Sequence, residues 1–185
     1  MFAIVQNGQI IMFITAGSPW EYQGIQYPPQ WIAQATPEQK AEMGIVDVVY
    51  GQQANQQYYW VTQDAPVYNA QTNQVDINFT STPKNLTQVK GNAISQVDQT
   101  AYSLLQPNDW MVIKATETST PINPDWNSWR ASVRATADQT KTSITAAADV
   151  DAVATIMSNI AWPKSPATVA AEAAQIADDI SEEAK

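Results

Sequence analysis

The sequence of 185 residues contains no cysteine and no histidine. Without cysteine the chain can form no disulfide and offers no thiolate as a nucleophile or as a metal ligand. Without histidine it lacks the side chain that most often serves as a general base near neutral pH and as a zinc ligand. These two absences exclude zinc sites and histidine-based catalytic triads, and we expect no metal or other cofactor.

Charged side chains are scarce, and basic ones are the scarcest. Only 15% of the residues are charged, with nine Lys and Arg against 18 Asp and Glu, which gives a formal net charge of −9. The nine cations are scattered along the chain, whereas binding to a nucleic-acid backbone depends on clustered Lys and Arg that release counterions. We therefore expect no nucleic-acid partner.

Long hydrophobic runs are also missing. The longest apolar stretches fall well short of the ~20 residues that a membrane-spanning helix requires, so we expect no membrane association. Residues 1–5 lack the basic segment of a secretory signal peptide, and their apolar run ends at Gln6. These features predict a chain that is made and folded in the cytoplasm.

Residues 1–80 have the pattern of a small, antiparallel, β-rich domain. Two apolar runs flank Asn7-Gly8, the pair typical of a type I′ hairpin turn. One short helix is predicted between Thr36, which forms a capping box with Gln39, and Gly44. Further strands are predicted over residues 22–27, 45–50, 58–63, 67–69 and 75–79.

The pattern changes at Thr82-Pro83, and residues 83–162 predict a helical domain. Thr82 is the expected N-cap and Pro83 the first residue of a long helix that ends near residue 105. The apolar stripe of this helix suits the core of a helical domain or a coiled coil, so self-association through residues 83–105 is one alternative. Its apolar residues recur every three or four positions and are Leu86, Val89, Ala93, Val97, Ala101 and Leu104.

Three shorter signals predict the remaining helices of this domain. One helix is expected to begin at Asn108 or Asp109, and another at Pro124 with Asn123 as its N-cap. A third is expected from residue 149 or 150 to residue 158.

Residues 165–185 are acidic and rich in alanine. Their apolar residues Val169, Ala173, Ile176 and Ile180 form a stripe too thin to stabilise an isolated helix, so we predict a helix that docks on a partner. The fold class is therefore α+β. It comprises a small antiparallel β-rich N-terminal unit, a long helix, a helical C-terminal unit and a terminal docking helix.

Carboxylates are the remaining candidates for catalysis. Acids near helix ends and in a solvated C-terminal segment have ordinary structural explanations. The sequence also lacks a phosphate-binding glycine loop and a Gly-x-Ser-x-Gly motif. We therefore predict that the protein is not an enzyme. The pairs considered are Asp109 with Glu117, Asp149 with Asp151, and Asp178-Asp179 with Glu182-Glu183.

Seven tryptophans are many for a chain of this size. Tryptophan is enriched both in cores and in the hot spots of interfaces, so both roles stay open. In the helical domain we assign Trp110, Trp126 and Trp129 first to the core. In the β-rich domain a core role is weighed against an aromatic recognition face for Trp20, Trp31 and Trp60, together with the nearby Tyr22, Tyr27, Tyr58 and Tyr59.

Residues 104–134 resemble a known family. The run from Leu104 to Ala115 contains Asp109-Trp110, and it is followed by Glu117, Pro124, Trp126, Trp129-Arg130 and Val133-Arg134. This arrangement is similar to the C-terminal signature of tail-fibre assembly chaperones of tailed bacteriophages. Trp129 stands where that family often has Tyr. A second stretch resembles the N-terminal portion of proteins encoded beside tail-fibre genes in tailed bacteriophages. It comprises Asn7-Gly8 and the apolar strand that follows, Gly24–Pro28, Trp31, Thr36–Glu38 and Gly44–Val48.

The resemblance implies a protein that helps a trimeric tail fibre to fold, or one that stays on the fibre or baseplate as a structural part. It would act in the host cytoplasm during assembly and, where retained, in the virion tail. The candidate partner-binding residues are Trp20, Tyr22, Tyr27, Trp31, Tyr59, Trp60, Asp109, Trp110, Trp126, Trp129, Arg130, Arg134, Val169, Ile176 and Ile180. Arg130 and Arg134, one turn apart, are predicted to pair with Asp109 or Glu117.

Two other functions remain as alternatives. The main one is a receptor-binding tail adhesin whose β-rich domain grips host surface polysaccharide through Trp and Tyr. A glycan hydrolase is less favoured, because it needs two carboxylates ~5–10 Å apart and acids are sparse in residues 1–83.

Overall fold

The computed structural model describes residues 1–183, with side chains as far as residue 177. The chain divides into two compact units, the first from Met1 to Thr82 and the second from Pro83 onward. The first is built mainly of strands and the second of helices, so the predicted α+β class is confirmed. The C-terminal helix belongs to the second unit. In the described part of the chain, no helix combines the length and the apolarity needed to cross a membrane.

The first unit is organised around a five-stranded sheet. The elements of this unit are β1 (Phe2–Gln6), β2 (Gln9–Ile14), β3 (Trp20–Tyr22), β4 (Ile25–Tyr27), α1 (Trp31–Gln34), α2 (Pro37–Glu42), β5 (Ile45–Tyr50), β6 (Tyr59–Gln63), β7 (Val67–Asn69), β8 (Gln74–Ile77) and β9 (Phe79–Pro83). The strand order of the large sheet is β2-β1-β5-β8-β7, while β3 pairs with β4 and β6 with β9 in two small sheets. The edge strands β2 and β7 also contact each other, so the large sheet is strongly curved.

Local turn signals set several of these boundaries. Asn7 and Gly8 have φ values of 50° and 75°, which confirms the tight turn predicted between β1 and β2. The capping box of Thr36 and Gln39 at the start of α2 is also confirmed. Gly44 follows that helix with a φ of 68°, as its predicted role requires.

Two predicted strands are wrong because each contains a break. Residues 22–27 contain the last residue of β3, the turn and all of β4, since Gln23 and Gly24 have positive φ and reverse the chain. Residues 75–79 are divided between β8 and β9 at Asn78, whose carbonyl accepts a hydrogen bond from the Asp64 N–H at 2.9 Å.

The large sheet buries side chains on both faces. Adjacent residues of a strand point to opposite faces, and Ala3 and Ile4 accordingly belong to different core clusters. Trp20 of β3 and Ile32 of α1 cover one face. That cluster contains Ile4, Ile14, Trp20, Ile32 and Ile45, and the other contains Ala3, Val46, Val48, Val75 and Ile77.

The second unit contains α3 (Leu86–Leu105), a 3-10 turn (Gln106–Asn108), α4 (Asp109–Thr118), α5 (Pro124–Ala146), α6 (Val150–Ser158) and α7 (Pro166–Glu183). The starts of α4 and α5 match the prediction, and Asn123 caps α5 through its side chain. The predicted start of α3 is wrong. Thr82 and Pro83 end β9, and Asn85 is the N-cap, with its Oδ1 accepting the Gln88 N–H at 3.1 Å.

Helix α3 packs against α5 and α6 and forms the core of the second unit with them. The predicted α3 stripe faces this core, with its four central members buried and Leu86 and Leu104 half-buried. The apolar residues that would drive self-association through residues 83–105 are therefore largely covered within the chain. The buried apolar residues of these helices are Val89, Ala93, Val97 and Ala101 of α3, Trp129, Val133, Ala137 and Ile144 of α5, and Val150 and Val153 of α6.

Candidate partner-binding surface

Helix α4 contains several large apolar residues but is poorly covered. None of its ten residues is buried, and Trp110 and Ile113, one turn apart, are 54% and 59% exposed. We call these two side chains the α4 patch. Scattered single apolar residues are normal on a protein surface, whereas neighbouring large ones mark interaction sites. The α4 patch is therefore the first element of the candidate surface.

A cleft of about 230 Å³ lies beside the α4 patch. It is bounded by one side of α4 from its first turn to its last, by the connector of residues 119–123 and by the first turn of α5. Ser119 adopts a left-handed conformation with a φ of 53° and ends α4, which lets the chain turn toward α5. We call this space the α4–α5 cleft. Its lining residues are Trp110, Met111, Lys114, Ala115, Thr118, Thr120, Pro121, Ile122, Asn123 and Trp126.

Arg130 fastens the start of α4 to α5 and to the end of α3. Its guanidinium donates to the Leu105 carbonyl at 3.0 Å and to Asp109 Oδ1 at 2.6 Å. The predicted Arg130–Asp109 ion pair is confirmed. One partner is buried and the other reaches the surface, because Arg130 is 4% exposed and the Asp109 side chain is 49% exposed. Arg134 is exposed and forms no ion pair with a described residue.

The three tryptophans assigned to the helical core have different surroundings. Trp129 is buried, and its Nε1–H donates to the Pro163 carbonyl at 2.9 Å. Trp126 is half-buried and packs edge-on against Trp129 with ring centroids 5.5 Å apart. The core assignment is therefore right for Trp129 and wrong for Trp110. Trp126 belongs partly to the core and partly to the wall of the α4–α5 cleft.

The aromatic residues of the first unit do not form one exposed face. Trp20 is buried and stacks on Tyr27 at 4.1 Å, and Trp31 meets both rings edge-on. These three rings, with Tyr22, belong to the core cluster of Ile4. Trp60 is exposed and lies beside half-buried Tyr59 on β6, in a different small sheet. We therefore assign Trp20, Tyr22, Tyr27 and Trp31 to packing.

Helix α7 contacts α5, yet its described residues after Pro166 are exposed, including Val169 and Ile176. Lys164 pairs with Glu172 at 2.7 Å and joins the preceding loop to the helix. The side chain of Ile180 lies outside the described residues. The helix itself is confirmed, and its docking on a partner stays a prediction.

Truncation after Lys164 should leave the melting temperature of the isolated chain nearly unchanged. The reason is that α7 buries few apolar atoms, while the Pro163 carbonyl that accepts from Trp129 is retained. Thermal unfolding followed by circular dichroism measures this. A pull-down with the tail fibre, the partner that the resemblance implies, measures binding, which is predicted to weaken. A truncated chain that melts several degrees lower but binds fibre normally would assign α7 to the core of the second unit.

The carboxylates considered for catalysis have structural contacts. Asp109 is bound to Arg130, and Asp149 caps α6 by accepting the Ala152 N–H at 2.8 Å. Within the described residues, no three acidic side chains come close enough together to hold a metal ion. Glu117 and Asp151 are exposed. The other four candidates, Asp178, Asp179, Glu182 and Glu183, have side chains outside the described residues.

Three of the described side chains have shifted pKa values, and each shift has a structural cause. Hydrogen bonds from Lys141 to Asp98 and then to Asp138 raise the pKa of the lysine. Burial raises the pKa of Tyr58, and hydrogen bonds with its own backbone N–H and then with the Thr36 side chain lower the pKa of Glu38. None of these groups lines the α4–α5 cleft.

Comparison with known proteins gives no match to a family of sequences, to a curated protein or to a solved structure. The similarity of residues 104–134 to fibre assembly chaperones therefore stays a prediction. The exposed apolar features of the second unit include the α4 patch, the α4–α5 cleft and the described residues of α7.

Proposed function

We propose that this protein is a phage tail-fibre assembly chaperone, or a fibre-associated structural protein, that binds the fibre chain through the α4 patch and the α4–α5 cleft. The observation that carries the proposal is α4 itself, a helix with exposed Trp110 and Ile113 and no buried residue. The exposed stripe of α7 supplies a second contact. The host cytoplasm is the proposed place of action during assembly.

The anchoring of α4 supports a binding role. Binding costs less conformational entropy when the residues of the binding surface are already held in position. Arg130 supplies this rigidity, since it ties Asp109, the residue before Trp110, to α3 and α5. An unassembled fibre exposes apolar faces and strand edges that aggregate, and a rigid apolar surface can cover them.

The proposed role is non-catalytic. Asp109 and Asp149 are engaged in an ion pair and a helix cap, respectively. The adhesin alternative has less support, because Trp20, Tyr27 and Trp31 pack against each other in a core cluster. Of the aromatic candidates of the first unit, Trp60 is exposed and could be attributed to an adhesin.

Co-expression with the tail-fibre protein of the same phage should convert the fibre from aggregate to soluble trimer. The double substitution Trp110→Ala and Ile113→Ser should remove most of this effect, since loss of a hot spot costs ~2 kcal/mol or more, roughly a thirtyfold weaker Kd. The measurements are the soluble fibre fraction and its mass by light scattering.

The matched control is Tyr102→Ala, which removes a ring 61% exposed on α3 without touching α4. This variant should rescue the fibre as the unmodified chain does. Equal fibre solubility with and without the chain, or equal loss in the control, would refute the proposed function.

A further inference from the structure

The α4–α5 cleft has the size of one side chain. Its volume of about 230 Å³ lies below the ~300–1,000 Å³ of sites that enclose a small-molecule ligand. Indole rings from Trp110 and Trp126 and the apolar side chains of Met111, Ala115 and Ile122 contribute to its walls. A flat aromatic ring matches such walls, because aromatic pairs gain from stacked or edge-to-face contact beyond the area they bury.

Lys114 gives the cleft an uncompensated positive charge. Its Nζ lies 5.8 Å from the centre of the Trp110 ring, and no described carboxylate is within ion-pair distance. Arg130, Lys141 and Lys164, in contrast, each have an acidic partner.

We infer that the α4–α5 cleft binds an aromatic side chain of a protein partner, and that the partner has a carboxylate next to this ring. The ring enters the cleft, and the carboxylate pairs with Lys114 Nζ at its rim. This inference rests on the proposed function and adds the chemistry of the recognised segment. Residues 84–164 contain seven cations and seven acids, so the surrounding region does not repel an acidic segment as strongly as the net charge of −9 suggests.

Glu117 has the charge opposite to that of Lys114, so removing it tests whether charge determines the binding of a carboxylate. It follows Lys114 by three residues on α4, a spacing at which helical side chains are neighbours. Its carboxylate should repel an incoming carboxylate and leave a neutral ligand unaffected. Removing the charge of Glu117 should therefore strengthen binding of the acid alone.

The probes are N-acetyl-L-tryptophan, which has a carboxylate, and N-acetyl-L-tryptophanamide, which does not. Both are titrated into the full chain while the indole N–H signals of Trp110 and Trp126 are followed by NMR. The acid should bind roughly two- to fivefold tighter than the amide, as expected for an exposed ion pair, and salt should reduce the difference.

Three variants separate the parts of the charged site. Lys114→Met should make the two probes equal, Lys114→Arg should keep the preference, and Glu117→Gln should increase it. A fourth variant, Ala115→Leu, should fill the cleft and abolish binding of both probes, with the dispersion of the other amide signals reporting that the chain is folded.

Equal affinities of the unmodified chain for the two probes would overturn the role of Lys114. Indole signals that do not move during the titration would overturn the proposed occupant. Signals that move with protein concentration before any probe is added would also overturn it, because they would show that another copy of the chain occupies the cleft. If the probes fail to bind as expected but the chain still keeps the fibre soluble, this inference alone is refuted. If the probes bind as expected but the chain does not keep the fibre soluble, the proposed function alone is refuted.

Discussion

Replacing Gly44 with Ala should destabilise the first unit by ~3 kcal/mol or more, through backbone strain and a steric clash. Gly44 has a φ of 68°, in a region that costs a residue with a Cβ ~1–2 kcal/mol. The added Cβ would also collide with the carbonyl oxygen of Val5. Relief is difficult because the Val5 N–H donates to the Gly44 carbonyl at 2.8 Å, which holds β1 against this turn.

Two other glycines separate the strain from the collision. Gly8 has a similar φ of 75°, but no atom lies within 4 Å of the place that an added Cβ would take, so Gly8→Ala should cost only ~1–2 kcal/mol. Gly91 lies inside α3 with open space around it, so Gly91→Ala should stabilise the second unit by ~0.5–1 kcal/mol. Urea unfolding of the three variants measures these differences. A cost for Gly44→Ala no greater than that for Gly8→Ala would contradict the collision.

Gly44 also illustrates what the sequence can and cannot predict. Its left-handed conformation follows from its position after a capped helix, a signal contained within a few residues. Its contact with Val5 depends on β1 pairing with β5, which brings together residues about forty positions apart in the sequence. The parallel pairing of β5 with β8 is likewise absent from local patterns.

Local signals fail where two of them compete. Thr82-Pro83 and Asn85 both resemble helix starts, and the pairing of β9 with β6 decides in favour of Asn85. Gln23-Gly24 is a weaker turn signal than Asn7-Gly8, since Gln seldom adopts a positive φ, yet it also forms a hairpin.

The candidate surface is only partly predictable. The sequence identifies Asp109, Trp110 and Arg130, but a tryptophan count cannot distinguish a buried ring from an exposed one. Sequence reasoning misses the α4–α5 cleft, because Met111 and Ala115 look like ordinary helix residues. The signal that could have found it is the connector between α4 and α5, where Pro121 and Pro124 prevent a continuous helix and leave a space between the two elements.

Arg130→Ala should destabilise the second unit by about 2–3 kcal/mol, because it removes a buried group and two hydrogen bonds to charged or helix-end partners. The Leu105 carbonyl near the end of α3 loses its donor. The cost stays below the ~3–5 kcal/mol of a fully buried pair, since the half-exposed Asp109 can be rehydrated.

The partner substitutions distinguish the charge of the pair from its packing. Asp109→Ala removes the more exposed residue, yet it leaves a buried guanidinium without a counter-charge, so it should cost nearly as much as Arg130→Ala. Asp109→Asn retains an acceptor and should cost only ~1 kcal/mol. Arg134→Ala, one turn away and exposed, is the control and should change stability by less than ~0.5 kcal/mol.

Loss of the Arg130 contacts should also impair binding at temperatures where the second unit is still folded. Trp110 directly follows Asp109, so freeing that residue lets the first turn of α4 move and raises the ordering cost of binding. Urea unfolding and the fibre-solubility assay, run on the same four variants, measure the two effects. If Arg130→Ala is no less stable than Arg134→Ala, the pair does not anchor α4. If it is less stable but rescues fibre as well as Arg134→Ala does, the anchoring has no part in fibre binding.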